Sequence, residues 1–513
     1  MSTRAQLQWQ WIGGTPPAWR AAVEADQWTS VARTMRGDGA RLLALWGSER
    51  RTDAAPIEVL AAYLDQEGLR ITELEVPVDA PTIPGIAEVY PAALRMERAL
   101  CDLLGVRAEN GDARPWLRHA SWPAGYLPLR RDQPEPPREA GITDTYSFVQ
   151  VAGDGVHEIP VGPVHAGIIE PGHFRFSVVG EKVLRLEQRL GYAHKGVERL
   201  FQNRPLNEGH RLAARVCGDS TVAYSWAYCR ALEGMSGCEV TPRCAWLRAL
   251  VLELERIANH LGDLGALGND AGFAFGLAQF SRVKEDLLRA FEDAFGQRYL
   301  MDYIGPGGVA RDLNPDHVSA LTTRLAATDR EVRAMHAIYD DHPGLHDRFH
   351  DAGTVLPPLA AQLGLTGLAG RASDQAFDLR VDHPWAPWSD FAPKLATRKS
   401  GDVLARVAVR FDEVLESIRI CRAWLRLLPE GAVQRDLGTP LAGALAFGLV
   451  EGWRGPVFIA LEAGTEGRIH RCHAHDPSWQ NWPALEHAII DNIVPDFPLI
   501  NKSFNLAYSA HDL

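Results

Sequence analysis

The chain has 513 residues, of which 46% are hydrophobic and 23% are charged, a composition typical of a globular protein with more than one domain. Its formal net charge of −12 argues against a general nucleic-acid binder, because neutralising phosphates requires clustered lysine and arginine. No apolar run reaches the roughly 20 residues of a membrane-spanning helix, and the N-terminus lacks the apolar stretch of a signal peptide.

Residues 1–131 are predicted to form a small α/β domain. Its first half contains three short apolar stretches. The first and third have the pattern of strands and the second has the spacing of a helix: residues 41–47, 57–64 and 68–76 in chain order.

A further helix is predicted within residues 86–106, where Met96 and Leu100 share one apolar face. Glu97 and Arg98 lie on the other side of this helix. We expect both charged side chains to face solvent.

Several prolines stand among charges in residues 132–145, which we interpret as a linker, because proline interrupts helices and central strands. The second predicted domain therefore covers residues 146–513. It begins with short strands, the third ending in a turn at Gly180 and Glu181: residues 146–151, 156–159 and 174–179.

Two long helices dominate the second domain. Residues 243–264 and 403–428 carry apolar side chains at steps of three and four, as a buried helical stripe requires. Asp402 supplies a capping residue and Pro429 ends the second helix. From Gly455 onward we predict short strands and turns. The expected class is α+β, with an N-terminal small α/β domain followed by a mainly helical-bundle domain that has short β-strands at its start and end.

Histidines, charges and glycines cluster in short turns between residues 162 and 234, where a site can be built without disturbing a core. The cluster consists of four motifs: residues 162–165 (GPVH), 170–175 (EPGHFR), 192–198 (YAHKGVE) and 215–220 (RVCGDS). Further motifs follow at residues 259–261 (NHL), 305–309 (GPGGV), 400–403 (SGDV), 450–455 (VEGWRG) and 496–503 (DFPLINKS).

Residues 146–513 therefore resemble the large subunit of membrane-bound, energy-converting nickel-iron hydrogenases and the quinone-site subunit of respiratory complex I. The N-terminal part resembles the small peripheral complex I subunit, here fused in front. The residues that carry this second resemblance are 90–93 (YPAA), 97–98 (ER), 102–106 (DLLGV) and 125–132 (GYLPLRRD).

The resemblance also implies what the site has lost. In the hydrogenases, two C-x-x-C pairs supply four thiolates to nickel and iron, and soft thiolates are the ligands this chemistry selects. Here the first pair reads Cys217 and Ser220, and the C-terminal pair falls on Ala507 and Ala510. With three ligands of four missing, the resemblance implies neither a nickel-iron centre nor hydrogen turnover.

The complex I resemblance implies a quinone headgroup between a histidine and a tyrosine. His173 matches the histidine, and Gly218 stands at the tyrosine position. Tyr224, about two helical turns further on, is a candidate to take over the hydrogen bond. Histidine and tyrosine can donate to a quinone oxygen and supply protons near neutral pH, and Cys217 and Asp219 are candidates to join them. The alternative is structural: a histidine in a turn is often a plain hydrogen bonder, and an unpaired cysteine a small buried hydrophobe.

A proton path is the hypothesis for five further residues: His194, Lys195, Glu198, Glu451 and Arg454. The first three have near-helical spacing and could equally form a surface ion pair. The last two could pair beside the old metal cavity or form a strand-end salt bridge.

The other cysteines and histidines do not predict a metal site. None of the seven cysteines forms a C-x-x-C pair, which argues against a disulfide framework or a cysteine-paired zinc site. His470, Cys472, His473 and His475 alternate on a predicted strand and so point to different positions.

Two functional hypotheses follow. The first is a redox-module subunit of a complex I-like, hydrogenase-related membrane assembly of the NADH-quinone oxidoreductase type. In it, an iron-sulfur cluster of a partner subunit passes electrons to a quinone-like acceptor, and the transfer drives ion translocation. The second is a noncatalytic coupling or scaffold subunit of such a complex that has lost the redox site.

The implied partners are an iron-sulfur subunit beside the large domain and antiporter-like membrane subunits. Without a membrane span of its own, the chain is expected in the cytoplasm, held at the inner face of the cell membrane by those subunits. It lacks the Rossmann glycine fingerprint, so we expect NAD binding elsewhere in the assembly.

Overall fold

A computed structural model describes residues 7–49, 56–119, 122–123, 125–131, 133, 146–165 and 169–513. The predicted linker, apart from Gln133, lies outside the described residues, so the domain limits at 131 and 146 stay predictions. The α+β class is confirmed: a strand-rich N-terminal part precedes a mainly helical one.

A five-stranded sheet with order β1-β2-β5-β4-β3 forms the N-terminal part, with β2 and β5 parallel and the other neighbours antiparallel. Its strands are β1 (Gln10–Gly13), β2 (Ala18–Ala22), β3 (Arg41–Glu49), β4 (Ile57–Leu64) and β5 (Leu69–Val76). Around the sheet lie α1 (Ala25–Gly37), α2 (Ala93–Leu104) and the parallel pair β6 (Thr82–Pro84) and β7 (Arg107–Glu109).

The predicted helix at residues 57–64 is wrong, because this stretch is strand β4, which lies between β5 and β3 in the sheet. Helices α1 and α2 cover one face of the sheet. On the other face, Leu60 and Ala62 pack with Phe447 and Phe458 of the large part. Since both faces are buried, the strand has no polar side, and a short apolar run of this kind cannot be told from a helix by periodicity.

The helix predicted at residues 86–106 is confirmed in its core as α2, but the expected exposure of its polar side is wrong. Glu97 accepts a hydrogen bond from the Ile86 amide at 2.7 Å, and burial raises its pKa to about 7. Arg98 is also buried and donates to the carbonyl of Arg114 and to the hydroxyl of Tyr146. The segment that follows α2 covers the side of this helix that was expected to face solvent.

An antiparallel meander opens the second part of the chain, with order β10-β9-β8 and the predicted turn at Gly180 and Glu181. The strand predicted at residues 146–151 is wrong. These residues run irregularly, and Tyr146 lies under the guanidinium of Arg189 at 4.6 Å. The strands are β8 (Val156–Val161), β9 (His173–Val179) and β10 (Lys182–Arg189).

Long helices form the core of the second part, as predicted. Asp402 caps the long helix that begins at Val403 by accepting from the Ala405 amide at 2.8 Å. The helices are α3 (Val197–Phe201), α4 (Gly209–Ala213), α5 (Thr221–Ser236), α6 (Pro242–Asp270), α7 (Ala274–Phe295), α8 (Pro315–Asp341), α9 (Pro343–Phe349), α10 (Pro357–Leu363), α11 (Gly367–Arg371), α12 (Leu379–Asp382) and α13 (Val403–Leu427). The pair β11 (Ile304–Gly305) and β12 (Gly308–Val309) interrupts them.

The C-terminal part contains the predicted strands, but helices follow them where only strands and turns were predicted. A meander of β13 (Leu445–Gly452), β14 (Gly455–Ala463) and β15 (Ile469–His475) packs against α5. Gly448 permits the close approach, since a Cβ there would lie 1.7 Å from the Ala227 carbonyl oxygen. The chain then continues through α14 (Ser478–Ala488), α15 (Phe497–Phe504) and α16 (Ser509–Asp512), with single helical turns at Thr465–Gly467 and Val494–Asp496.

A membrane-spanning helix would have to be both long and apolar throughout. No helix in the described part of the chain meets both conditions.

Candidate functional site

The turn that leads into α5 meets the tight hairpin between β13 and β14. Cys217, Gly218 and Asp219 form the turn, and Arg454 stands in the hairpin. Residues that are 235 positions apart in sequence thereby come into contact.

Arg454 joins the two segments through its guanidinium. Its Nη1 donates to Asp219 Oδ1 at 2.6 Å and its Nη2 to Asp219 Oδ2 at 2.5 Å, a bidentate pair. The same Nη1 lies 3.8 Å from Cys217 Sγ, and the thiol donates to Asp219 Oδ1 at 3.0 Å. We call Cys217, Asp219 and Arg454 the turn cluster.

Protonation in the turn cluster follows from these contacts. Burial raises the pKa of the Cys217 thiol well above its usual range, and the carboxylate of Asp219 adds to this. For Asp219, burial alone would raise the pKa, but the Arg454 guanidinium outweighs it and lowers the pKa. The cluster at neutral pH is therefore a thiol, a carboxylate and a guanidinium, and the sulfur is not a ready thiolate ligand.

Two further side chains fix the backbone of the turn. Asn259 Nδ2 on α6 donates to the Asp219 carbonyl at 2.7 Å, and Trp453 Nε1 donates to the same oxygen at 2.8 Å. Asn259 belongs to a motif noted in the sequence, but its role and that of Trp453 could not be assigned without the fold.

The turn cluster is open on one side. Gly218 is exposed, and a Cβ built on it meets no atom within 4 Å. The side chain of Asp219 is 37% exposed, whereas that of Arg454 is 6% exposed. A molecule placed over Gly218 would thus reach the carboxylate and the edge of a largely buried cation.

The two positions predicted to match the second ligand pair of the hydrogenases are closed and apolar. Ala507 and Ala510 are buried at 3% and 0% exposure. The segment that holds them is anchored at both ends: Arg454 Nε donates to the Asn505 carbonyl at 2.5 Å, and Glu170 accepts from the Ser509 amide at 3.0 Å. The C-terminal segment therefore connects the turn cluster to the turn before His173.

His173 begins β9 and is 8% exposed. Its Nδ1 lies 2.9 Å from the Gly162 carbonyl, which makes Nδ1 the protonated nitrogen, and its Nε2 accepts from Arg175 Nε at 3.3 Å. Burial lowers the pKa of His173, against the opposing effect of the Gly162 carbonyl, so the ring is neutral at pH 7. Both ring nitrogens thus have protein partners.

Tyr224 is fully buried one turn into α5. Its hydroxyl donates to Asp476 Oδ2 at 2.8 Å, and burial raises its pKa well above the usual range. Asp476, which follows β15, was not singled out from the sequence. Since the phenol is committed to this carboxylate, a hydrogen bond from Tyr224 to a ligand would have to displace Asp476.

The predicted proton-path residues separate into different surroundings. Glu198 is buried and pairs with His473 Nδ1 at 2.7 Å and Arg471 Nη1 at 3.0 Å, so the alternative of a surface ion pair is wrong. His194 Nδ1 lies 2.7 Å from the Asp512 carbonyl. Lys195 Nζ donates to the Val216 carbonyl at 3.0 Å, directly before the turn cluster.

A pair between Glu451 and Arg454 is not formed, so both sequence interpretations of it are wrong. The two side chains point to opposite sides of the β13–β14 hairpin. Glu451 Oε1 is 3.2 Å from Arg371 Nη1, and Glu451 Oε2 accepts from the Leu379 amide at 3.2 Å. Burial raises the pKa of Glu451 to about 7, and Asp378 adds to the increase.

Glu451 belongs to a buried ionic network between α6, α11, α12 and α13, which the sequence did not predict. Glu413 bridges His260 Nε2 and Arg371, each at 2.8 Å. The helical spacing of Glu253, Arg256 and His260 was a signal, but their partners come from distant segments. Further pairs in the network include Arg380 with Glu253 and Asp378, and Arg410 with Asp263. Trp453 touches both systems, because its ring packs edge-on to His260 at 5.8 Å.

The histidine-rich strand β15 holds partners rather than a set of metal ligands. His473 faces Glu198, His475 lies 3.1 Å from Gln480 Oε1, and His470 approaches the Glu49 carbonyl at 2.9 Å. Within the residues that the structure describes, no group of three or more histidine, cysteine or acidic side chains is arranged to hold a metal ion.

Comparison with known proteins places both parts of the chain. Residues 21–139 match the family model described as respiratory-chain NADH dehydrogenase, 30 Kd subunit, and residues 270–440 match that of the 49 Kd subunit. Formate hydrogenlyase subunit 5 of Escherichia coli (strain K12) is 31% identical over 483 residues, covering 92% of this chain and 85% of the relative.

Further relatives include both a hydrogenase and an NADH-quinone oxidoreductase subunit. The carbon monoxide-induced hydrogenase of Rhodospirillum rubrum is 30% identical over 350 residues, covering 68% of this chain and 97% of its own. The C/D subunit of the NADH-quinone oxidoreductase of Phocaeicola vulgatus is 28% identical over 406 residues, covering 75% of this chain and 78% of the relative. In fold, a chain of the archaeal membrane-bound sulfane sulfur reductase matches with a TM-score of 0.66 at 23% identity, covering 71% of this chain and 100% of that one.

Proposed function

The chain belongs to the family of complex I-type subunits that join a 30 kDa and a 49 kDa part, and on this premise we propose that it is a redox-module subunit. In this role it passes electrons from an iron-sulfur partner to a quinone-like acceptor. The observation that carries the proposal is the turn cluster, which keeps a charged, one-sided opening where the family's first ligand pair begins.

The chemistry needs electrons, protons and charge stabilisation. The iron-sulfur partner supplies two electrons, and the acceptor takes them with two protons to become a quinol. Arg454, already oriented by Asp219, stabilises negative charge that develops on the acceptor oxygen, because a fixed and largely buried cation needs no reorganisation. Gly218 leaves room for the headgroup where the complex I subunit has a tyrosine.

We assign the supply of protons to groups in and beside the turn cluster. The thiol of Cys217 keeps its proton at neutral pH, and Lys195 stands beside the preceding carbonyl. His173 and Tyr224 are buried and have protein partners in this structure, so each would have to exchange a partner for the acceptor. The buried pair of Glu198 and His473 is the acid–base pair that we propose for a further proton transfer.

A nickel-iron centre does not fit these residues. Ser220, Ala507 and Ala510 cannot supply thiolates, and the one cysteine at the site is held as a thiol. The reaction we propose therefore takes no step through nickel and does not produce hydrogen.

The family premise also suggests the surroundings of the chain. We place it at the inner face of the cell membrane, docked to an iron-sulfur subunit and to antiporter-like membrane subunits. Electron transfer at the turn cluster would drive ion movement in those subunits through the buried ionic network. Trp453 provides a direct contact between the two, since it holds Asp219 and packs on His260.

A second candidate is a coupling subunit without redox chemistry of its own. This role is favoured because the polar groups at the site already have protein partners. Both Nη atoms of Arg454 donate to Asp219, and both ring nitrogens of His173 are hydrogen-bonded. Such a subunit would use the same network to transmit a conformational change.

The test is electron transfer to a quinone by the purified complex, with metal analysis of the same sample. We expect quinone-dependent turnover that falls when His173 is changed to Ala and when Asp219 is changed to Asn. Turnover unaffected by His173→Ala but lost in Asp219→Asn would confine the site to the turn cluster. Absence of turnover in the intact wild-type complex would favour the coupling role, and stoichiometric nickel would overturn both.

A further inference from the structure

A cavity of about 250 Å³ lies at the seam between the N-terminal sheet and the large part of the chain. The N-terminal side contributes Arg36, Arg41 and Tyr90. The large part contributes Gln375, Gln480 and the end of α10. The cavity is remote in sequence from the turn cluster, and the inference below does not depend on the redox role.

The lining of this cavity contains two arginines and no carboxylate. Arg36 and Arg41 both line it, and no aspartate or glutamate is among the lining residues. In a chain with a net charge of −12, two arginines at one cavity whose lining holds no carboxylate are unexpected from composition.

Both guanidinium groups are held in place by neutral contacts. Arg36 Nη2 donates to the Ala361 carbonyl at 2.9 Å, and its guanidinium lies 5.3 Å from the centre of the Tyr90 ring. Arg41 Nη1 donates to the Leu365 carbonyl at 3.3 Å. Each guanidinium has five N–H donors, so most of them are left for a ligand.

Arg36 and Arg41 are close enough to repel each other. Burial lowers the pKa of Arg41, Asp382 opposes this effect, and Arg36 lowers the pKa further. An anion between the two guanidinium groups would remove this repulsion.

The start of α2 adds to the field in the cavity. Pro91 and Ala92 line the wall directly before this 12-residue helix, and its first turn has neither a side-chain cap nor an acidic residue. The positive end of a helix favours anions near its first turn. Here it acts together with the two arginines and the cavity.

We propose that this cavity binds a small organic anion that carries phosphate or carboxylate groups. Arg36 and Arg41 bind the charged groups through paired N–H donors, as guanidinium groups bind carboxylate and phosphate oxygens. Apolar atoms of Leu42 and Leu363 complete the walls beside the charged end. Because the two sides of the cavity come from different parts of the chain, a bound anion would tie them together.

The test is calorimetric titration of the full chain with pyrophosphate and, separately, with citrate at constant ionic strength. We expect saturable binding of one or both, weakened at least about tenfold in Arg36→Gln and in Arg41→Gln, because each loses charge-assisted hydrogen bonds. The control is Arg330→Gln, which removes one exposed positive charge from α8 and should bind as wild type does.

The two probes separate the sources of the ligand: pyrophosphate alone points to phosphate compounds, and citrate alone to carboxylates. Absence of saturable binding to wild type, or equal weakening in Arg330→Gln, would overturn the proposal. Hydrogen exchange of wild type gives a reading independent of variant folding. Added probe should slow exchange in residues 36–42 and 90–96, and unchanged exchange there would also overturn it.

Discussion

Arg454 holds Asp219 through two parallel hydrogen bonds, of 2.6 Å from Nη1 to Oδ1 and 2.5 Å from Nη2 to Oδ2. A planar guanidinium matches both carboxylate oxygens at once, which an ammonium group cannot do. The pair anchors the turn before α5 to the β13–β14 hairpin and leaves the charge at the edge of an opening. The proposed function depends on this arrangement.

Gly218→Ala should fold as stably as wild type, because the added Cβ meets nothing within 4 Å. Gly448→Ala is the matched contrast, since its Cβ would lie 1.7 Å from the Ala227 carbonyl oxygen and would force β13 away from α5. Thermal unfolding of both variants checks this. A clear loss of stability in Gly218→Ala would mean that the opening beside the turn cluster is filled.

Glu413→Gln should destabilise the chain by at least about 2 kcal/mol, because it leaves buried Arg371 and His260 without their shared carboxylate. Glu416→Gln, three residues along the same helix, should cost only about 0–1 kcal/mol, since the side chain of its partner Arg419 is 48% exposed. The midpoints of thermal unfolding can be compared directly. Equal effects of the two changes would show that the ionic network does not stabilise the bundle.

Glu198 should account for part of the stability that the protein loses at acid pH. Burial would raise its pKa, but Arg471 and His473 reverse the effect and lower the pKa to about 2. A depressed acid pKa contributes stability that is present above the unfolded value of 4.5 and lost as pH falls towards 2, here about 3 kcal/mol.

Glu198→Gln should therefore be less stable than wild type at pH 7 and lose less stability between pH 4.5 and 2. Denaturant unfolding at a series of pH values measures both. Glu239→Gln, which changes an exposed carboxyl, should follow wild type. Parallel pH profiles for wild type and Glu198→Gln would contradict the pairing with His473 and Arg471.

The sequence predicted the elements whose signal is local. The apolar stripe and the Asp402 cap define α13, and alternation defines β5. The stretch at Ile57–Leu64 failed because its neighbours on both faces come from other parts of the chain, which removes the polar side of the strand. Glu97 was misjudged for the same reason, since the covering segment is not visible in local spacing.

The candidate site was also predicted from the sequence only where its signal is local. Cys217 and Arg454 were recognised through motifs, but not that Asp219, rather than Glu451, pairs with the arginine. That pairing follows from which side of the β13–β14 hairpin faces α5. Partners such as Asp476 and Arg371 also required the tertiary fold, because ion pairs between distant segments leave no mark on sequence periodicity.

The most direct test is the rate at which the intact complex passes electrons from its reduced iron-sulfur partner to a quinone, measured for wild type and Arg454→Lys. Lysine keeps the positive charge but loses the preorganised, bidentate geometry of the guanidinium, which should lower this rate at least about 100-fold. Arg468→Lys, which changes an exposed arginine bonded to a backbone carbonyl, should match wild type. Wild-type turnover in Arg454→Lys would contradict a redox site at the turn cluster.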